Sequence, residues 1–226
     1  MSEARISTLA GMPTLFVMAA MPEYGPQLRK RIQPAIVGVG PVEAALETGL
    51  ALRLAQEAGT MPGLVVCLGS AGSRTLPQGE IYQASSVSWR DMDASPLGFD
   101  KGRTPFTDHL VETPLETPLP GVPSARLSTG SDVVTGSRYL SIDADMVDME
   151  SFAVMRACQR FGVPMVALRG ISDGAADLRR YEDWTRLLDA LDERLAIAVD
   201  TLAVVLAGGW RPAPVSYTHL TLPTNR

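Results

Sequence analysis

Apolar residues in this chain fall in short continuous runs, separated by longer segments in which they recur at helical spacing. Thr14 to Ala20, Ala35 to Val39, Leu64 to Leu68 and Val163 to Ile171 are runs of strand length, the pattern of strands covered on both faces. Glu80 to Trp89 alternates in part and Ala125 to Thr129 is short and apolar, so both also read as strands. Between them, a helix from Pro41 to about Ala58 carries Val42, Ala45, Leu46, Gly49 and Leu50 on one face, with Pro41 suited to its first turn. A shorter helix is expected from about Tyr24 to Ile32. Another follows Glu150, with Ala153, Val154, Ala157, Cys158 and Phe161 at helical spacing. The last runs from about Tyr181 to Leu206, with Trp184, Leu187, Leu188, Leu191, Leu195, Ala198, Leu202 and Val205 inward. Strands alternating with helices, without an internal repeat, predict one α/β domain with a largely parallel sheet covered on both faces.

Six prolines between 94 and 124 interrupt this order and predict a long irregular excursion, a candidate loop over a site. The expected boundaries are a tail over 1–13, a single domain over 14–207 and a C-terminal tail over 208–226. That last segment follows a Gly-Gly-Trp-Arg-Pro-Ala-Pro breaker and reads as non-native from about 215.

Composition narrows the class. The chain has 226 residues, 46% of them hydrophobic and 20% charged, as in a globular protein with a sizeable core. Net charge is −5 and the only basic cluster is Arg29-Lys30-Arg31, which argues against a nucleic-acid partner. No apolar run approaches the ~20 residues of a membrane span, and Met1 to Met12 lacks the pattern of a signal peptide. Cys67 and Cys158 sit in apolar surroundings and form no Cys-x-x-Cys motif, the pattern of reduced buried thiols, so a cytoplasmic location is expected.

Two carboxylates stand out. Met146 to Glu150 is a mainly apolar segment that ends in Glu150 before a helical pattern, and the Val163–Ile171 run delivers Ser172 and Asp173 at its C-terminal end. Ligands of open α/β sheets bind outside the carboxyl ends of the strands. Two acidic side chains so placed suggest one hydrogen-bonding carboxylate and one proton donor facing a common substrate. The alternative is that Glu150 caps a helix and Asp173 a turn. Gly69-Ser70-Ala71-Gly72 is expected to turn the backbone tightly near a ligand. Gly38-Val39-Gly40 begins like a dinucleotide fingerprint, but Glu43 stands where Gly or Ala should close it. No cluster of metal ligands is present, and His109, in the proline-rich excursion, gives a Ser-His-Asp triad little support.

Val147-Asp148-Met149-Glu150 followed by Arg169-Gly170-Ile171-Ser172-Asp173 resembles the signature pair of the 5'-methylthioadenosine/S-adenosylhomocysteine nucleosidases, in the nucleoside phosphorylase superfamily. The likeness extends to Gly38–Ala45, Leu68–Gly72, Asp91-Met92-Asp93 and Thr129-Gly130-Ser131-Asp132. It implies a three-layer α/β/α sandwich around a mixed, mostly parallel sheet, a homodimer, no cofactor, and hydrolysis of the N-glycosidic bond of 5'-methylthioadenosine, with S-adenosylhomocysteine a second substrate. The resemblance makes Asp173 the acid that protonates purine N7, with Ser172 positioning it, and Glu150 the acceptor for the ribose hydroxyls. Met149 packs on the ribose. Ser70, Ala71 and Gly72 border the ribose and the attacking water, and Val133 and Val134 hold the adenine through backbone groups without the family's usual aromatic.

The chain departs from the family at the water-activating carboxylate. An ungapped match puts Tyr24 there, with Glu23 one residue short, and Glu23 is the preferred base because a neutral phenol is a poor one. Phosphorylases of the superfamily carry an Arg three residues before the Ser of the glycine turn, where this chain has Cys67, which favours water over phosphate. Arg74 and Arg169 keep a rewired phosphate site open, and Tyr24 keeps open a nucleoside-binding protein without turnover.

Overall fold

The computed structural model describes residues 6–176 and 178–215. The chain opens with a hairpin of β1 (Ile6–Leu9) and β2 (Met12–Met18), so the segment expected to be a tail is paired from Ile6 onward. Ala10 and Gly11 both take positive φ, the two-residue turn whose twist matches that of the flanking strands. A 3-10 turn over Met21–Glu23 and the short α1 (Pro26–Arg29) follow, then β3 (Ala35–Ile36), α2 (Pro41–Glu57), β4 (Leu64–Gly72) and β5 (Ile81–Trp89). Next come β6 (Glu112–Pro114), β7 (Ser124–Thr129), β8 (Met146–Asp148), α3 (Ser151–Phe161), β9 (Met165–Asp173), α4 (Tyr181–Thr185) and α5 (Leu188–Ala207).

Alternation along the strands sets the two faces. Leu15 and Val17 of β2, Val65 and Cys67 of β4, and Met165 and Ala167 of β9 pack with α2 and α3. Their neighbours Phe16, Met18, Val66, Leu68, Val166 and Leu168 pack with α5 on the opposite side. Strands apolar on both sides therefore come from the continuous runs, as the period of a strand demands.

Among the described residues the sheet is mixed. β2–β3, β2–β4, β4–β9, β5–β7 and β7–β8 are parallel, while β1–β2, β4–β8, β5–β6 and β5–β9 are antiparallel. The pairings β4–β8–β7–β5–β9–β4 close a circuit, so these strands curl round on themselves and leave β2, with its neighbours, as an extension. The antiparallel β5–β9 pair that closes the circuit needs Gly170. A side chain there would meet Leu191 at 2.7 Å and Ile81 at 3.1 Å.

Several expectations shift. The helix expected from Tyr24 to Ile32 contracts to α1, because Gly25 abuts Asp192 of α5 and that carboxylate takes the first free N–H groups, Gln27 N at 2.7 Å and Leu28 N at 3.0 Å. The last helix breaks between Thr185 and Leu188. Gly69–Gly72 is not a turn: β4 runs through it, with an irregular register at Ala71/Gly72. Residues 208–215 are tied down, since Trp210 Nε1 and Ala213 N both donate to Glu116 and Val215 is buried in the core. The rest of the segment read as non-native, from Ser216, lies outside the described residues. No described helix is long and apolar enough to cross a membrane.

Candidate active site

The C-terminal ends of the parallel strands β2, β4 and β9 point the same way, and β8 runs into their midst, with Val147 opposite Gly72. These ends surround a cavity of about 490 Å³, within the size range of small-molecule sites. Glu23, Ser70, Ala71, Gly72, Val133, Val134, Met149, Glu150 and Asp173 all line it. Ser172 does not. It is buried behind the wall, and its hydroxyl donates to Asp173 Oδ2 at 2.6 Å. No residue of 94–124 lines this cavity; that excursion adds β6 to the edge of β5 instead.

Glu23, on the 3-10 turn that follows β2, is buried beside β4. Its Oε1 accepts from both Ser70 N and Ser70 Oγ at 2.7 Å, and Trp184 Nε1 in turn donates to Ser70 Oγ at 2.9 Å. Glu23 Oε2 is sealed from solvent without a partner among the described residues, as is Arg169 Nη1. A Cβ at Gly69 would lie 3.3 Å from that oxygen and 3.0 Å from that nitrogen, so glycine keeps the space between them open. Tyr24 turns away: its hydroxyl donates to Ile32 O and its ring carries the Arg29 guanidinium. Of the two adjacent residues, the one facing the cavity is the carboxylate.

Glu150 occupies the N-cap position of α3, yet its side chain makes no cap bond. Oε1 instead accepts from Gly40 N at 3.0 Å, across the glycine turn before α2. Burial, reinforced by the negative charge of Asp148, pushes its carboxyl up to about 7. Asp148 takes over the capping, accepting from Ser151 N at 2.9 Å and Thr129 Oγ1 at 2.6 Å. Burial opposes its ionisation, but Arg169 and these donors outweigh it and hold the carboxyl below its ordinary value. Arg169 is enclosed between β4 and α3, with Nη2 on Asp148 Oδ2 at 2.7 Å, Ser151 Oγ at 2.8 Å and Cys67 Sγ at 3.2 Å.

Asp173 ends β9. Burial raises its carboxyl, against the lowering influence of the Ser172 and Tyr139 hydroxyls. Gly72 makes this approach possible, since a side chain there would collide with the Tyr139 hydroxyl and come within 2.7 Å of Asp173 Oδ1. Tyr139, Trp184 and Arg90 are lining residues the sequence did not single out for the site. Arg90 Nη1 donates to the carbonyls of Ser128 (2.6 Å) and Asp148 (2.9 Å), tying β7 to the end of β8. Nothing in their local spacing marks them, because each arrives from a segment distant in sequence.

The family model of the Phosphorylase superfamily matches residues 131–206. A curated relative from Halalkalibacterium halodurans, 5'-methylthioadenosine/S-adenosylhomocysteine nucleosidase, is 28% identical over 187 residues, 72% of this chain and 77% of the relative. One of the same name from Actinobacillus succinogenes is 31% identical over 154 residues, covering 60% of this chain and 65% of the relative. Among solved structures, the Campylobacter jejuni nucleosidase of that name superposes with a TM-score of 0.70 at 17% identity, over 88% of this chain and all of that one. Residues 131–206, a third of the chain, are thus similar to the Phosphorylase superfamily, and these two curated relatives are both 5'-methylthioadenosine/S-adenosylhomocysteine nucleosidases.

Proposed function

We propose that the chain hydrolyses the N-glycosidic bond of a 5'-modified adenosine, 5'-methylthioadenosine first and S-adenosylhomocysteine second, releasing adenine and the thioribose. The observation that carries this reading is the shared cavity of Glu23, Glu150 and Asp173, each held by different hydrogen-bond donors. Asp173, its carboxyl raised by burial, donates its proton to purine N7 as the bond to the anomeric carbon breaks and its electron pair passes to the base. Glu150 accepts from the ribose hydroxyls, and its charge favours the oxocarbenium-like sugar. Water adds its oxygen to the anomeric carbon and gives a proton to the Glu23 carboxylate at the cavity wall. The Trp184–Ser70–Glu23 chain of donors keeps that carboxylate oriented. Met149 flanks the sugar and Val133 and Val134 the base.

Water rather than phosphate is the nucleophile on this reading. Cys67 accepts from Arg169, and Arg169 is committed to Asp148, so neither offers a paired grip on an anion. Release of adenine from 5'-methylthioadenosine is expected to be independent of phosphate and to fall by about 10²–10⁴-fold in Glu23→Gln. Release that requires phosphate would make the chain a phosphorylase, and tight binding without release would make it a binding protein.

Because Glu150 must be ionised to favour the sugar cation, kcat/KM should rise with pH through about 7. That ascending limb should flatten in Glu150→Gln, as read from initial rates across pH.

The helices on the two sheet faces support a three-layer α/β/α arrangement. Val39, Val42, Leu46 and Leu50, 48–76% exposed, form an apolar stripe along α2 beside the cavity, and a second copy of this chain is the partner proposed for it. The two thiols are free and buried, which fits a reducing cytoplasm.

A further inference from the structure

Tyr139 stands at the cavity wall with no part in the hydrolytic steps above. It comes from the 3-10 turn Gly136–Ser141 between β7 and β8, and it lines the cavity with Val134 and Asp173. Its hydroxyl lies 3.5 Å from Asp173 Oδ1, the outer limit of hydrogen bonding, where apo contacts tighten when a ligand arrives. The other carboxylate oxygen, Oδ2, is already held by Ser172 at 2.6 Å. Oδ1 is therefore the oxygen left to meet a base, and the phenol sits directly beside it. Gly72 leaves room for the same hydroxyl beside Asp173, since a Cβ there would collide with it.

Burial and the negative charge of Asp173 raise the phenol, so it keeps its proton and both donates and accepts. A purine presents N7 and its 6-substituent side by side on one edge: an acceptor and an amino donor in adenine, two acceptors in a 6-oxopurine. A carboxyl and a hydroxyl held side by side match that pair of neighbouring groups. Resting on the reading that Asp173 protonates N7, we infer that Tyr139 reads the 6-substituent of the base. Its oxygen accepts from a 6-amino group, and its O–H donates to a 6-oxo group. Tyr139 is thus a specificity-determining residue for base recognition.

The test is equilibrium binding of adenine, hypoxanthine and unsubstituted purine to wild type and Tyr139→Phe by titration calorimetry. The phenylalanine keeps the ring and removes only the hydroxyl. Adenine and hypoxanthine should each bind about three- to tenfold more weakly to the variant, the worth of one neutral hydrogen bond, with unsubstituted purine unchanged. An equal loss for all three bases would reduce Tyr139 to packing and overturn the inference. So would no loss for any base, or a wild type that binds none of them. Failure of the hydrolytic reading looks different: the bases bind with the expected pattern, but 5'-methylthioadenosine releases no adenine.

Discussion

Asp173→Asn is expected to lower adenine release from 5'-methylthioadenosine by about 10²–10⁴-fold, the usual contribution of a positioned acid or base. The amide matches the carboxyl in size and can still accept from Ser172, which donates at 2.6 Å, so the thermal midpoint should change little. What it lacks is a proton to give to N7. The wild-type pH profile should carry the same signature. Burial raises the Asp173 carboxyl, so its protonated form persists above the ordinary carboxylate range and is lost as pH rises through that raised value. The corresponding descending limb of kcat/KM should be absent in the variant. Near wild-type rates in Asp173→Asn would remove Asp173 from the chemistry.

Arg169→Met should destabilise the fold by about 3–5 kcal/mol, the cost of leaving a buried ion without its partner. Arg169 is 1% exposed and Asp148 5% exposed, so water cannot replace the missing guanidinium. Asp148 would keep Thr129 and Ser151 N but lose the guanidinium paired with it, and the N-terminus of α3 would carry a poorly compensated charge. Urea unfolding monitored by circular dichroism measures the loss. Asp148→Leu in the same background should recover much of it, because an apolar pair need not be solvated. A loss below about 1 kcal/mol would rank the pair with exposed ion pairs. Arg169 also holds the Glu150 carboxyl down, so any folded Arg169→Met should shift the ascending limb of its pH profile to higher pH.

The strands and helices that build the core were legible because burial imposes a period. Leu64–Leu68 read as a strand and became the first half of β4, Val163–Ile171 overlaps most of β9, and the face pattern after Glu150 became α3. The ends and breaks were less legible. Asp192, on α5, shortens α1 by accepting the N–H groups of Gln27 and Leu28, a partner about 165 residues away. Closure of β5 on β9 depends on Gly170 fitting beneath Leu191, which no local pattern records. β1 is short and only partly buried, so its pairing with β2 left no strong period.

The site divides in the same way. Glu150 and Asp173 were visible as carboxylates at the ends of apolar runs, whose direction in a parallel sheet brings such ends together. Between Glu23 and Tyr24 the order of residues could not decide, since a one-residue shift in a proline-containing turn exchanges their directions. Packing decided it. The Tyr24 phenol reaches Ile32 O on the α5 side, while Ser70 on β4 draws Glu23 inward with two hydrogen bonds. Tyr139, Trp184 and the Asp148–Arg169 pair likewise owe their roles to contacts across 21 to 114 residues. Periodic burial is a local consequence of strand and helix geometry, and the sequence by itself determined the elements and the two carboxylates at their ends. Which oxygen faces the cavity, and which groups stand beside it, depends on non-local packing, and the tertiary structure alone decided that.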